Sequence, residues 1–291
     1  MLTLAVAHRA ETFERMREPL AERGIEARHV DYAERTLALA DPPWDPGEFD
    51  AGFVFPSRAM EGGVLDALLG VPWLNDREAV LTSRNKAGVL AALKRAGVPV
   101  PDSVLVSDPL EDPDQELARA FGRFDPPVVV KPNSTTRGIG VARVGDPDSL
   151  SGVTDYLELV HDYRATGDRS YLLQEYLPDA RDYRAMVVEG EYVGAVERRL
   201  PEERRTAGHW KHNVHRGAIA EGVELDDELR ALAERTADVL DIPFLGVDLL
   251  VTDERAVVNE TNARPTIDDE TKYEPGFYDR LAAAIENAAE D

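Results

Sequence analysis

Residues 128–144 read VVVKPNSTTRGIGVARV. An apolar run ends on Lys131, a polar loop with two close glycines follows, and a second apolar run closes the stretch. Two strands joined by such a loop form a hairpin rich in backbone and hydroxyl donors, from Ser134, Thr135 and Thr136 to Gly138 and Gly140. Glycine lets a backbone approach a ligand closely, successive N–H groups form a concavity for anions, and a lysine at the strand end adds a point charge for a phosphate. The stretch is not a P-loop, because neither Gly-Lys-Ser/Thr nor a helix follows directly, and its spacing is not that of a dinucleotide fingerprint. An ordinary flexible hairpin would also explain it if it stood alone.

A second group suggests a metal. Asp248 lies in one apolar run, and Glu260 and Asn262 lie in the next. With a turn near Asp253–Glu254, Asp248 falls opposite Asn259 or Glu260, and residues two apart on a strand share a face. Three hard oxygen donors on one face suit Mg2+ bridging substrate phosphates. Both carboxylates sit in runs that read as buried, where a pair without a cation would be costly. A third group, Gln174-Glu175-Tyr176-Leu177, interrupts the end of the apolar strand 171–177 before Pro178. Backbone groups there can read an adenine edge and a carboxylate can take ribose hydroxyls, although an amphipathic edge strand fits this stretch equally well. The fourth is a basic island. From Arg181 to Arg216 eight arginines or lysines (181, 184, 198, 199, 204, 205, 211, 216) face six acids (182, 189, 191, 197, 202, 203), with His209, His212 and His215 among them. Such a local positive field would hold a polyanion. The spacing His209-x-x-His212-x-x-His215 does not place three rings on one helix face, and no cysteine accompanies them, which argues against zinc.

These residues need a scaffold. Strand-like runs at 2–8, 25–32, 51–56 and 71–75, with helical spacing at 11–23 and 64–69, predict a small three-layer unit with a parallel sheet. Residues 83–103 predict one helix capped by Ser83 or Asn85 and stopped at Gly97. Beyond it come a strand at 104–107, an acidic loop leading into a helix through Phe121, the hairpin of 128–144, a helix near 149–163 and the strand 171–177. A hairpin at 184–199 turning at 189–191, a long helix at 226–240, a second hairpin pairing 244–251 with 256–261, and a closing helix at 277–289 complete the chain.

With 291 residues and 43% hydrophobic content, the chain has room for about two domains with real cores. The net charge of −23 disfavours nonspecific binding to nucleic acid or an anionic membrane. Only Lys86, Lys94, Lys131, Lys211 and Lys272 are lysines. Many acids with little lysine suggest the surface of a salt-accumulating, halophilic cytoplasm, and each remaining lysine then gains interest. There is no cysteine, so thiol chemistry and disulfides are excluded. No apolar stretch approaches ~20 residues, and the N-terminus lacks a basic lead-in, so the expectation is a cytoplasmic protein without membrane span or signal peptide.

Taken in order, the pieces SRNKAGVLAALKRAGVPVPDS, VVVKPNSTTRGIGV, QEYLPDARDYRAMVV, ERR, HWKHNVHRGA, GVDLL and NETNARP resemble the ATP-grasp ligases. They are most similar to the RimK-like branch, which adds amino acids to carboxylates. The resemblance runs from about Ser83 to the last helix. It implies an α/β (α+β) fold: a small parallel α/β domain at 1–82, then a two-lobed ATP-grasp module with antiparallel sheets, its lobes at 83–177 and 178–291. It implies that Lys86 and Lys131 hold ATP phosphates under a lid formed by Ser134, Thr135, Thr136, Gly138 and Gly140. Gln174, Glu175, Tyr176 and Leu177 would hold adenine, and Asp182 would lie near the ribose or the nucleotide. Lys211, His212 and Asn213 would approach the phosphates. Asp248, Glu260 and Asn262 would bind Mg2+, with Mn2+ as an alternative, and Arg184, Arg198 and Arg216 would line the reaction centre.

The implied function is a carboxylate–amine ligase working through an acyl phosphate. Its implied partners are an amino acid such as glutamate and a carboxylate-bearing acceptor, either a small molecule or a protein C-terminus. Nucleic acid and membrane are not expected, and a homo-oligomer is compatible with the reading. Candidate acceptors are a peptide C-terminus, a glutamyl tail on a pterin or deazaflavin, or a carrier protein. Two departures stand on the acceptor side. The family's Glu-Val-Asn followed two residues on by Pro-Gly becomes Glu260-Thr261-Asn262-Ala263-Arg264-Pro265-Thr266, adding Arg264, and Lys211-His212 replaces a more usual arginine–small pair. The competing expectations are an ATP-binding regulatory module of the same fold without ligase activity, and a docking protein without ATP affinity.

Overall fold

The computed structural model describes residues 1–7, 11–45, 47–136, 138–160, 168–212 and 217–290. Three sheets organise it. The first contains β1 (Leu2–Val6), β2 (Ile25–His29), β3 (Ala51–Val54) and β4 (Trp73–Asn75), all parallel in the order β2-β1-β3-β4. Helices α1 (Glu11–Ala21) and α2 (Ala59–Leu69) provide the crossovers. Leu4, Ala5, Val6 and Phe53 are fully buried, as parallel strands with both faces covered require. α2 begins five residues before the expected Val64, because its first turn carries exposed residues such as Met60 and gives little apolar periodicity.

The second sheet is antiparallel and ordered β5-β8-β6-β7: β5 (Ser103–Ser107), β6 (Val128–Pro132), β7 (Ala142–Val144) and β8 (Ser170–Glu175). Helices α5 (Pro113–Phe121) and α6 (Pro147–Val160) cover it and give it a core of its own around Phe121, Val128, Leu150 and Leu173. The third sheet is also antiparallel, ordered β11-β10-β9-β12-β13: β9 (Arg181–Val188), β10 (Glu191–Arg199), β11 (Ile219–Val223), β12 (Phe244–Val251) and β13 (Ala256–Asn262). The β9–β10 turn places Glu189 and Gly190 at φ 51° and 76°, the left-handed pair that a two-residue hairpin prefers. Short α7 (Glu202–Thr206), α8 (Asp227–Leu240) and α9 (Phe277–Glu290) complete the chain. The first and third sheets share one hydrophobic core, in which the Phe53 and Phe244 rings lie 5.4 Å apart.

The helix expected within 83–103, capped by Ser83 or Asn85 and stopped at Gly97, is α4 (Lys86–Arg95); a further helix that was not expected, α3 (Arg77–Arg84), precedes it, and the two meet at a break at Asn85. Asn85 is the cap, its side chain accepting from Gly88 N at 3.0 Å. Ser83 has a different task. Its buried hydroxyl lies 3.1 Å from Thr261 Oγ1 and accepts from Ala263 N at 3.0 Å, pinning α3 to β13. Asn75 joins the first sheet to the third in the same way. Its amide donates to Phe244 O at 2.5 Å and Ala263 O at 2.7 Å, and its oxygen accepts from Phe244 N at 3.1 Å. Asn75 is fully buried, so Asn75→Ala strands backbone groups without partners. Urea unfolding of that variant should register a loss of about 2–3 kcal/mol.

Candidate active site

The break at Asn85 sets the geometry of the site. Asn133, just past β6, accepts from Ala87 N at 2.8 Å through Oδ1 and donates to Asn85 Oδ1 at 3.0 Å through Nδ2. The start of α4 is thereby stitched to the strand end that carries Lys131. Lys86 Nζ donates to Thr135 O and lies 3.4 Å from both Asn133 O and Glu260 Oε1. Lys131 Nζ lies 3.3 Å from Asn259 Oδ1 and 3.4 Å from Asn259 O. Both lysines are at most 5% exposed. Two ammonium groups, from α4 and β6, therefore meet the acidic end of β13. Sequence reasoning missed Asn133 and Asn259, for which the only signal was an amide beside each predicted residue.

On the third sheet Asp248 pairs with Glu260 across β12 and β13, with a bulge immediately after Asp248. Arg184 of β9 stands opposite Asp248 on its other side and grips it with two bonds of 2.7 and 2.9 Å. Arg198 reaches Asp248 Oδ2 at 3.0 Å and donates from Nε to Asp182 Oδ1 at 2.8 Å. His212 Nδ1 lies 3.6 Å from the other Asp182 oxygen. Burial alone would raise the Asp248 carboxyl, but Arg184 and Arg198 outweigh it and hold the group below its ordinary value. Burial likewise opposes the charge on Arg198, and the attraction of Asp182 and Asp248 overcomes this, so its guanidinium is held above its usual value.

The residues present fit Mg2+. Asp248 and Glu260 supply two facing carboxylates and Asn262 a carbonyl oxygen, the hard-donor set that Mg2+ shares with substrate phosphates. Among the described residues no group of three His, Cys, Asp or Glu is placed to hold a metal by itself.

The residues that the family resemblance assigns to the nucleotide also lie here. Gln174 is buried and donates to Ser103 Oγ at 3.0 Å. Glu175 is tied through one oxygen to Asp102 N at 2.7 Å and through the other to Arg255 at 2.5 Å. Tyr176 meets Trp210 edge-on at 5.9 Å, and Arg143 of β7 lies over both rings at 5.0 and 5.6 Å. Lys211 donates to Val141 O and sits 5.6 Å from the Trp210 ring. This stack clasps the hairpin of β6 and β7 to the segment after α7, and neither Arg143 nor Trp210 stood out in the sequence. Gly138 and Gly140 have φ of 66° and 75°, a conformation that a side chain would strain.

One cleft of 1730 Å³ joins these groups. Lys86, Lys131, Thr135, Thr136 and Gly138 line it, together with Gln174, Glu175, Tyr176 and Leu177. Asp182, Arg184, Arg198, Lys211, His212, Asp248, Glu260 and Asn262 line it as well. Ser134 and Gly140 belong to the same loop but do not line the cleft. Asn213 and Arg216 lie outside the described residues.

Burial pushes the Lys131 ammonium down to about 8; nearby Lys86 adds to this, and Glu260 and Asp248 oppose it. A lysine whose folded value is depressed destabilises the fold while it is protonated in both states. The penalty is complete below pH 8 and is relieved as pH rises from about 8 toward the unfolded value near 10.4. Lys131→Met should therefore raise stability at pH 7 by up to about 3 kcal/mol. It should also flatten the rise of stability with pH above 8 in denaturant titrations.

Comparison with known proteins places this geometry. Residues 83–276 match the RimK-like ATP-grasp domain. A probable alpha-L-glutamate ligase of Klebsiella pneumoniae (strain 342) is 32% identical over 225 residues, which span 76% of this chain and 70% of that protein. One from Hydrogenovibrio crunogenus is 31% identical over 76% and 69%. Among solved structures, a RimK domain ATP-grasp protein from Sphaerobacter thermophilus superposes with TM-score 0.69 at 24% identity over 99% of both chains. D-alanine–D-alanine ligase from Bacillus anthracis, complexed with ATP, gives 0.65 at 18% over 100% of this chain and 98% of that one. At these identities the structural likeness speaks for the fold. With the fold, the matched domain and the curated relatives in agreement, the chain belongs to the RimK-like ATP-grasp family.

Proposed function

We propose that this ATP-grasp ligase uses ATP and Mg2+, or Mn2+, to join an amino acid, glutamate in the first instance, to a carboxylate-bearing acceptor through an acyl phosphate. One observation carries the reading. Lys86 and Lys131 meet the acidic end of β13 across a single cleft large enough for a nucleotide and a second substrate. The name of the curated relatives supports glutamate as the amino acid.

In this reading Lys86 and Lys131 neutralise the nucleotide phosphates beneath the loop of Thr135, Thr136 and Gly138, and the strand end 174–177 receives the adenine. Asp248, Glu260 and Asn262 would hold Mg2+, which would supply positive charge to offset that of the phosphates. An acceptor carboxylate oxygen attacks the γ-phosphorus and ADP departs. The amine then attacks the acyl carbon, inorganic phosphate leaves with the bonding electrons, and a proton is released from nitrogen. The chain's contribution is to orient the reactants and to stabilise charge as it moves. Arg184 and Arg198, already aligned on Asp248, place fixed positive charge beside the transferring phosphoryl group. The high net charge of −23, with few lysines, supports work in a salt-accumulating cytoplasm. Among the described residues no helix is long and apolar enough to cross a membrane.

The test is ADP release from Mg-ATP, screened against glutamate, lysine and candidate acceptors at low and high salt. Release that depends on both substrates is the expected result. Glu260→Ala should reduce it by about 1,000-fold, with some loss of thermal stability as Lys86 loses its carboxylate partner, and unchanged turnover would refute the metal assignment. Stabilisation by Mg-ATP without ADP release under any pairing would favour a regulatory module, and no stabilisation at all a docking protein.

A further inference from the structure

Arg264 departs from the expected end of β13, and its surroundings are those of a cation awaiting an anion. Its backbone N–H donates to Asn262 Oδ1 at 2.9 Å. Its Nη1 donates to Phe55 O and, at 3.2 Å, to Val54 O, at the C-terminal end of β3. Those two carbonyls fix one arm of the guanidinium. Among the described residues its Nε and Nη2 donors take no hydrogen-bond partner, and the ionisable groups that act on it are Tyr32 and Arg84, neither a carboxylate.

A guanidinium taken out of water next to a second one is costly unless an anion joins it. The free arm of an arginine fork matches the two oxygens of a carboxylate. Arg264, Arg84, Tyr32 and Ser57 line the same cleft as Lys86, Lys131 and Glu260. They do so beyond the carboxyl ends of β2 and β3, the edge of a parallel sheet where ligands bind. Arg264 lies two residues past Asn262, outside β13, and its side chain bonds the end of β3 and not the groups around Lys86 and Lys131.

We propose that Arg264, with Arg84 beside it, holds a carboxylate of the substrate that is not converted to amide, and so selects substrates bearing a second carboxylate. The proposal rests on the ligase reading for the identity of the substrate, while the anion site itself is measurable without turnover.

The experiment uses the full chain, its R264M and R264K variants, and glutarate as an unreactive dicarboxylate probe. Calorimetry should find glutarate binding weakened by about 100-fold in R264M and about tenfold in R264K, which keeps the charge but loses the fork. Mg-ATP affinity should stay within about twofold, because R264M keeps the backbone N–H that bonds Asn262 and the side chain it replaces bonds, among the described residues, only the carbonyls of Val54 and Phe55. In ADP-release assays R264M should raise the KM of one substrate with kcat little changed, and should erase the preference for glutamate over its carboxamides, glutamine and isoglutamine. A KM effect on glutamate assigns the carboxylate to the amino acid, and one on the acceptor assigns it to the acceptor. Wild-type glutarate binding and an unchanged carboxylate preference in R264M would overturn the proposal. Should R264M not fold, R264K decides by the same two readouts. Absence of ADP release in the wild type, with glutarate binding still dependent on Arg264, would sink the ligase reading and leave the anion site standing.

Discussion

Two buried ammonium groups cannot share a cleft unless negative charge is brought to them, and the architecture is arranged around that requirement. Lys86 and Lys131 come from α4 and β6, and the carboxylates that balance them come from β12 and β13. The balance holds only if the second sheet is fixed against the third. Asn133 ties the hairpin to α4, Ser83 ties α3 to β13, and Asn75 ties β4 to β12. Each is a small, buried polar side chain bonded to backbone. Such bonds contribute modestly when made and cost more when broken, so they fix registration more than they add stability.

The third sheet carries the rigid half of the site. Arg184 and Asp248 face each other in the β9–β12 ladder, as do Asp182 and Arg198 in the β9–β10 ladder. The resulting chain of alternating charges is centred on the buried Asp248 and internally neutralised. Placing fixed charges on paired strands limits the reorganisation needed when a substrate anion arrives. The second sheet carries the other half: a loop with two left-handed glycines and an aromatic clasp in which Arg143 lies against Tyr176 and Trp210. On the proposed reading, the nucleotide lies between these two halves. Arg264 extends the same logic to the far end of the cleft, where a guanidinium without a carboxylate partner among the described residues stands ready for the second substrate.

Much of this was legible in the chain. The turn expected near Asp253–Glu254 was enough to place Asp248 opposite Asn259 or Glu260, and Glu260 is its partner, because register leaves little freedom once the turn is located. Lys131 was legible because a charged residue at the end of an apolar run needs an explanation, and Gly138 and Gly140 because only their spacing suited a loop close to a ligand. Asn85 was legible as a cap, but helix α3 before it was not, nor was the bond that ties Asn85 to Asn133, 48 residues away. Nor were Arg143 and Trp210, whose partners come together only when the hairpin folds over the segment after α7.

The sequence by itself determined the elements, their pairing within each hairpin and the chemical types gathered at strand ends, because these follow from local periodicity and from the cost of burying charge. Only the tertiary structure decided which charges neutralise one another: that Asp248 is held by Arg184 and Arg198, that Lys86 pairs with Glu260, and that Arg264 meets carbonyls instead of a carboxylate. Coulomb energies depend on distance and on local dielectric, and neither exists until the three sheets have packed together.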